Sequence, residues 1–227
     1  SEATFANEDA VAFYEYAREV DPQHATKYNS AIFLATYYGA REGQFTSRQL
    51  LQAGDRILDD PRSAPDDLFM VASITRRVAP PDDYAVVLQR VLDATQDAQD
   101  ENLRDHRKEL LVDAALYLEK DKEAALRLKL ETMADGWRKD PQALNSFAWW
   151  CYENSVALDQ GFEAAMQGAS LADGDPKLQA NILDTAAEIA FARGDVQEAV
   201  KLEEQAILLN PEREAFKQTL KKFKEEG

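Results

Sequence analysis

Apolar residues recur every three or four positions along most of the chain, which is the pattern of amphipathic helices. These runs alternate with short breaks that contain proline, glycine or aspartate. Sustained two-residue alternation and Asn-Gly hairpin turns, which would indicate strands, do not occur in the sequence. The sequence therefore predicts an all-α protein. We expect its twelve helices at about residues 7–20, 24–39, 46–58, 64–78, 82–97, 101–118, 121–138, 142–154, 158–172, 176–192, 195–209 and 212–225.

The breaks in the last third of the chain recur at a constant interval. Asp140-Pro141, Asp175-Pro176 and Asn210-Pro211 follow one another at 35-residue steps, and a fixed period of roughly 20 to 50 residues is typical of repeat proteins. Gly194 ends one helix in a position that favours the left-handed conformation. Asp195 can then cap the next helix, with Glu198 completing a capping-box pattern. Each repeat is therefore predicted to consist of a helix A, a tight turn and a helix B.

The last repeat resembles the tetratricopeptide repeat family. It has that family's small, turn and exit residues at Ala187, Gly194, Ala199, Ala206 and Pro211. Helix A departs from the family pattern, since Leu183, Ala186 and Ala190 replace the usual tryptophan, leucine and tyrosine. The resemblance implies a right-handed α-α superhelix, a solenoid of about twelve antiparallel helices whose helices A line a groove.

The repeat spacing also predicts how the chain is organised. Ala10, Ala17 and Asp21-Pro22 repeat the spacing of a helix B, so residues 7–22 are expected to be an orphan helix B or a cap. That helix would belong to a cap at the start of the protein, or to a repeat cut from a longer one. Sequence without a linker favours a single domain over 1–227. Within it we expect degenerate helix pairs at 23–139, two repeats at 140–211 and a capping helix at 212–227.

A second resemblance covers residues 140–225. Leu144-Asn-Ser-Phe-Ala-Trp149 and Ile182-Leu-Asp-Thr-Ala-Ala187, followed by Gly-Asp and Glu-Ala, look like the C-terminal helical repeats of bacterial proteins that carry a thioredoxin-like domain. In those proteins the thioredoxin-like domain holds a Cys-x-x-Cys pair, whereas this chain has one cysteine. The resemblance implies an alternative function, as the helical part of a thiol-disulfide protein whose catalytic domain lies upstream.

Charge restricts the partners. The chain has 26 Lys and Arg against 42 Asp and Glu, a net charge of −16, which repels the phosphate backbone of nucleic acids and anionic lipid surfaces. No run of apolar residues is long enough to insert into a membrane. We therefore expect a soluble protein that binds a neutral or basic protein or peptide. The compartment stays open between the cytoplasm and, if a signal peptide was removed, the periplasm.

Candidate chemistry is sparse, and no catalytic residue, metal site or cofactor is predicted. His24 and His106 have no histidine or cysteine at metal-ligand spacing. Cys151 falls in a slot for small buried residues, where a free cysteine behaves as a hydrophobe. Paired acids such as Asp66-Asp67 and Glu203-Glu204 mostly fit the first turns of helices, where the dipole favours them. The sequence therefore favours a non-enzymatic scaffold, with a small-molecule pocket in 23–139 as a further reading.

The tetratricopeptide resemblance also nominates a peptide-binding groove. On the helices A of the last two repeats, the groove positions are Asn145, Ala148, Tyr152, Asn181, Asp184 and Glu188. Grooves that clasp a peptide C-terminal carboxylate use basic and amide side chains at such positions. An acidic lining would repel that carboxylate, so we expect the partner to be recognised through a different group.

Overall fold

The protein is all-α. The computed structural model describes residues 6–97 and 101–226, and within these ranges it contains twelve α-helices, two short 3-10 helices and no strand. Residues 1–5 and 98–100 of the predicted domain, and residue 227 of the predicted capping helix, lie outside the described ranges. The α-helices are α1 (Ala6–Val20), α2 (Ala25–Arg41), α3 (Ser47–Leu58), α4 (Pro65–Val78), α5 (Pro81–Ala94), α6 (Glu101–Tyr117), α7 (Lys122–Thr132), α8 (Pro141–Asn154), α9 (Leu158–Leu171), α10 (Pro176–Ala192), α11 (Val196–Leu209) and α12 (Glu214–Glu226).

From α1 to α6, and again from α8 to α12, each helix packs against the next one in the chain, as in a solenoid. This confirms the predicted all-α class and helix number. The chain forms two compact units, which we describe separately; unit 1 ends at Leu128 and unit 2 begins at Lys129. The prediction that residues 1–227 form a single domain stays a prediction.

Bulky side chains fill the core of unit 1. Phe33, Leu50, Ile57 and Leu88 are almost completely buried between its helices. Tyr84 on α5 is buried as well, and its hydroxyl donates a hydrogen bond to Asp113 Oδ2 on α6 at 2.6 Å. This polar contact lies inside an apolar core, where a hydroxyl without a partner would be costly. Burial and the Asp113 carboxylate together raise the pKa of Tyr84, so it stays neutral.

Small residues hold the helix pairs of unit 2 close together. A Cβ atom placed on Gly161 of α9 would lie 2.7 Å from Cys151 Cβ of α8. In the next pair, Ala187 on α10 and Ala199 and Ala206 on α11 are completely buried. Larger side chains at these positions would push the helices apart, since protein interiors are packed as densely as crystals.

Aspartates begin three helices of unit 2. The carboxylates of Asp140, Asp175 and Asp195 each accept hydrogen bonds from backbone N–H groups in the first turns of α8, α10 and α11. Gly194 has a φ of +83°, as the sequence predicts. Asp195 accepts from the Glu198 N–H at 3.1 Å, which is the first half of the predicted capping box. A cap of this kind contributes about 1 kcal/mol to helix stability.

One predicted helix boundary is wrong. The seventh helix was expected to continue to residue 138, but α7 ends at Thr132. Gly136 then adopts a left-handed φ of +80°, and a 3-10 helix follows at Trp137–Lys139. Apolar periodicity continues through this segment because Met133 and Trp137 keep the spacing, so periodicity alone could not locate the break.

Replacing Gly161 by alanine tests the close packing of α8 and α9. In an open helix position this change would stabilise the protein by about 0.5 to 1 kcal/mol. Here the new methyl group overlaps Cys151, so we expect Gly161→Ala to lower the free energy of unfolding by about 1 to 3 kcal/mol. Urea denaturation measures the effect. The neighbouring, exposed Gln160→Ala serves as control, and a stabilising Gly161→Ala would contradict the packing.

Candidate functional site

Three helices of unit 2 present polar side chains at equivalent positions. Tyr152 on α8 donates its hydroxyl hydrogen bond to Glu188 Oε2 on α10 at 2.9 Å, across 36 residues of sequence. Lys222 on α12 donates to the same oxygen at 3.2 Å, 34 residues further on. Both separations are close to the 35-residue interval of the sequence breaks. Glu188 therefore links α8, α10 and α12, every second helix of this part of the chain, at positions about 35 residues apart.

The other predicted groove residues lie near this contact. Asp184 precedes Glu188 by one helical turn, and Asn145 and Asn181 are separated by the same 36 residues as Tyr152 and Glu188. We call this surface the A-face. It consists of the partly exposed residues Asn145, Tyr152, Asn181, Asp184, Glu188 and Lys222.

Ala148 does not belong to the A-face. It was predicted to line the groove, but it is completely buried. Its carbonyl oxygen points to the contact with α9, where it lies 3.5 Å from the position of a Cβ on Gly161. Leu144, Ala148 and Cys151 share one side of α8 at helical spacing, and all three pack inside unit 2. An alanine at this position serves helix packing and cannot touch a ligand.

The two asparagines carry unused acceptors. Asn145 Oδ1 and Asn181 Oδ1 are both shielded from solvent, and neither accepts a hydrogen bond from a protein group in the described ranges. A buried amide oxygen without a donor costs about 1 to 3 kcal/mol. The same defect thus occurs at equivalent positions of two helices, although native proteins satisfy most buried polar atoms.

Glu203 is a buried acid that was not predicted from the sequence. It was grouped with Glu204 among paired acids that fit the first turns of helices, but it lies in the middle of α11 and is completely buried. The helical register could have found it. Glu203 follows Ala199 by four residues and precedes Ala206 by three, and both alanines belong to the buried stripe of α11.

Glu203 faces other carboxyl groups. Neither of its oxygens accepts a hydrogen bond from an N–H or O–H donor in the part of the chain that the structure describes, and the groups that act on it are Asp184 and Glu188. Two carboxyl groups can form a hydrogen bond only when one of them holds a proton. Glu203 is the more deeply buried of the pair with Asp184, so we assign the proton to Glu203, which donates it to Asp184.

Burial sets the protonation of this pair. It raises the pKa of Glu203 to about 8, and the charges of Asp184 and Glu188 act in the same direction. Burial and Glu188 also raise the pKa of Asp184 to about 6, against the opposing effects of Arg213 and of the hydrogen bond with Glu203. The two groups titrate as a unit, and at neutral pH they share one proton.

The remaining candidate chemical groups are one thiol and two imidazoles. Cys151 is completely buried, and burial raises the pKa of its thiol to about 12, so it carries no thiolate at neutral pH. His24 contacts Asp21, with 2.8 Å between Nδ1 and Oδ2, and the His106 ring stacks on Phe69. Among the described residues, no three His, Cys, Asp or Glu side chains are placed to hold a metal ion, and no helix is long and apolar enough to cross a membrane.

Unit 1 contains a separate small cleft. It has a volume of about 200 Å³ and lies between α1, α2 and α3. Ile32 and Ala53 are buried at its base, and an ion pair between Glu15 and Arg56 stands at its wall. The prediction of a small-molecule pocket in 23–139 stays a prediction, because the cleft also includes Val11 and Glu15 of α1.

The fold places the protein in the class of all-α, solenoid-like proteins. The chain matches no protein-family model and no curated protein. Among solved structures, it is similar to the crystal structure of BtubC (BKLC) from P. vanneervenii, with 15% sequence identity and a TM-score of 0.53. The match covers 92% of this chain and 89% of that chain. At this identity the likeness extends to the fold alone.

The shared proton makes stability depend on pH. The folded state holds a proton on Glu203 up to about pH 8, whereas an unfolded glutamate loses it near pH 4.5. Between these values the folded state binds more protons, so its stability falls as pH rises. We expect the free energy of unfolding to decrease by about 1 to 3 kcal/mol from pH 6 to pH 8.5.

Thermal or urea denaturation at several pH values measures this slope. Glu203→Gln should remove most of it, because glutamine keeps the shape and has no titrating proton. Glu204→Gln makes the same substitution at the exposed neighbouring position and should leave the slope unchanged. Identical slopes in the wild type and Glu203→Gln would contradict the assignment.

Proposed function

We propose that unit 2 binds an extended segment of another protein along the A-face. The observation that carries the proposal is the pair of unsatisfied asparagine oxygens on α8 and α10. Backbone N–H groups of an extended chain are evenly spaced donors, and an extended segment has no internal hydrogen bonds to compete for them. Two amide acceptors at equivalent positions of neighbouring helices suit such a ligand.

Ligand binding would satisfy polar atoms that lack a hydrogen-bond donor in the folded protein. Each asparagine oxygen is shielded and lacks a donor in the free protein, but both side chains are partly exposed. Rotation of the side-chain amide would bring the oxygen to the ligand, and a hydrogen bond there would remove an existing penalty. A new hydrogen bond at an already hydrated group gains less, because it replaces a bond to water. The helices hold these polar groups in place before the ligand binds, which reduces the conformational entropy lost on binding.

An aromatic side chain beside the A-face supplies apolar contact. Trp149 on α8 is 39% exposed, and its ring lies 5.1 Å from the Tyr152 ring, tilted by 43°. Tryptophan and tyrosine are enriched among residues that dominate binding energy, since they bury a large area at small entropic cost. The polar acceptors would position the ligand backbone, and Trp149 would contact one of its side chains.

Charge favours a neutral or basic ligand. The protein carries a net charge of −16, and Asp184 and Glu188 place acidic groups on the A-face itself. Such a field accelerates the approach of cationic segments and slows that of anionic ones. The partner is thus expected to present a basic or neutral segment.

Selection from a library of random 12-residue peptides against the full 227-residue chain tests the proposal. We expect retained peptides whose affinity falls about 2- to 10-fold in Asn145→Ala and in Asn181→Ala, as for the loss of one hydrogen bond. Neither variant should be less stable than the wild type, since each removes an unsatisfied oxygen. Gln205→Ala, an exposed amide on α11, is the control. No retained peptides, or retained peptides indifferent to both asparagines, would refute the proposal.

A further inference from the structure

The carboxyl groups near Glu188 outnumber the cations that face them. Asp184 and Glu188 on α10 and Glu203 on α11 are in electrostatic contact with one another. Two cations oppose them: Lys222 on α12, which binds Glu188, and Arg213, which acts on Asp184. Three acidic groups therefore face two basic ones. Tyr152 contributes a hydrogen bond and no charge.

Both cations are also held by aromatic rings. The Lys222 ammonium lies 5.3 Å from the centre of the Phe191 ring and 5.6 Å from that of Phe223. The Arg213 guanidinium lies 5.0 Å from the centre of the Phe216 ring. These cation–π contacts fix the two side chains beside the carboxyl groups. Neither cation donates a hydrogen bond to Glu203, whose two oxygens have no donor among the described residues.

Glu203 is the independent sign that the cluster has a ligand. It is completely buried on a different helix from the other two acids, and among the described residues no N–H group or cation reaches either of its oxygens. Its hydrogen-bond partner is another acid, Asp184. Helix packing alone does not require an acid at this site, because its neighbours Leu202 and Ala206 bury apolar side chains on the same helix. A buried acid without a donor is destabilising unless something pairs with it.

We propose that Asp184, Glu188 and Glu203 form a receptor for the guanidinium or ammonium group of a basic side chain in the bound segment. This inference rests on the function proposed above and specifies the chemistry of one ligand side chain. Asp184 and Glu188 are partly exposed and contact the cation directly. Glu203 acts behind them, as the group that balances the added charge.

A proton balances the charge in the free protein. Without a ligand, Glu203 holds a proton and donates it to Asp184. When the cation arrives, Glu203 releases this proton to solvent and the new positive charge takes its place. The net charge of the cluster is thus the same before and after binding. Binding therefore takes one cation out of solvent and releases one proton into it, so the affinity depends on pH.

The test uses N-acetyl-arginine amide and N-acetyl-citrulline amide as probes on the full-length chain. They have nearly the same shape, but only the arginine derivative carries a charge. Backbone amide NMR signals of Asp184 and Glu188 report binding, and titrations at pH 6 and pH 8 give the affinity. We expect the arginine probe to bind roughly 50-fold more tightly at pH 8 than at pH 6, because Glu203 is almost fully protonated at pH 6 and about half protonated at pH 8. The citrulline probe should cause no saturable shift.

Two variants separate the role of Glu203 from a general acidic field. Glu203→Gln should bind the arginine probe with the same affinity at both pH values, while Glu204→Gln should keep the difference seen in the wild type. Calorimetry of the wild type in buffers of different ionisation enthalpy should show release of a proton on binding, which tests the exchange without any variant. Equal binding of both probes, or no proton release, would overturn the inference.

The experiment also separates this inference from the proposed function. Peptides that need Asn145 and Asn181 but not a basic residue would support the peptide site and refute the cation receptor. Saturable, pH-dependent binding of the arginine probe without any retained peptide would support the receptor and refute the peptide site. Titration with Nα-acetyl-lysine amide, whose side chain keeps its ammonium group, then shows whether the receptor prefers a guanidinium or an ammonium group.

Discussion

Close contact between paired helices is the constraint on which unit 2 depends. Gly161 against Cys151, and Ala187 with Ala199 and Ala206, leave no room for larger side chains. This packing places the apolar stripe of each helix inside the unit and turns another side of α8 and α10 outward. The outward side is free to carry polar residues, and it carries them at a repeat spacing that aligns Tyr152 with Glu188. The A-face is thus a consequence of how the helix pairs pack.

The same packing explains why the A-face keeps unsatisfied groups. Helices held this tightly cannot shift to give Asn145 or Asn181 a donor, or Glu203 a cation. A looser structure would relax and repair these defects. The folded state instead tolerates them, at a cost that a few buried apolar side chains offset. A ligand that supplies donors and a cation removes that cost, so the rigidity of the fold supports its proposed function.

Sequence reasoning located the helices because their period and their breaks are local properties. Aspartate and glycine at 194–195, and the aspartates before Pro141 and Pro176, specify caps and turns through contacts within a few residues. It failed where the answer depends on the neighbouring helix. Ala148 was placed on the groove and is buried against α9. Glu203 was grouped with the acids of first helical turns, whereas it is buried in the middle of α11. Lys222 was not considered, because its partner Glu188 lies on another helix.

The central claim is that Asn145 and Asn181 accept hydrogen bonds from a bound segment. NMR tests it most directly. A peptide retained from the random library is added in steps to the 227-residue chain, and the side-chain amide signals of these two residues are followed in ¹⁵N–¹H spectra. We predict that both signals move together and saturate at the same peptide concentration, while that of Gln205 stays in place. Saturable binding that leaves both asparagine signals unmoved would contradict the account.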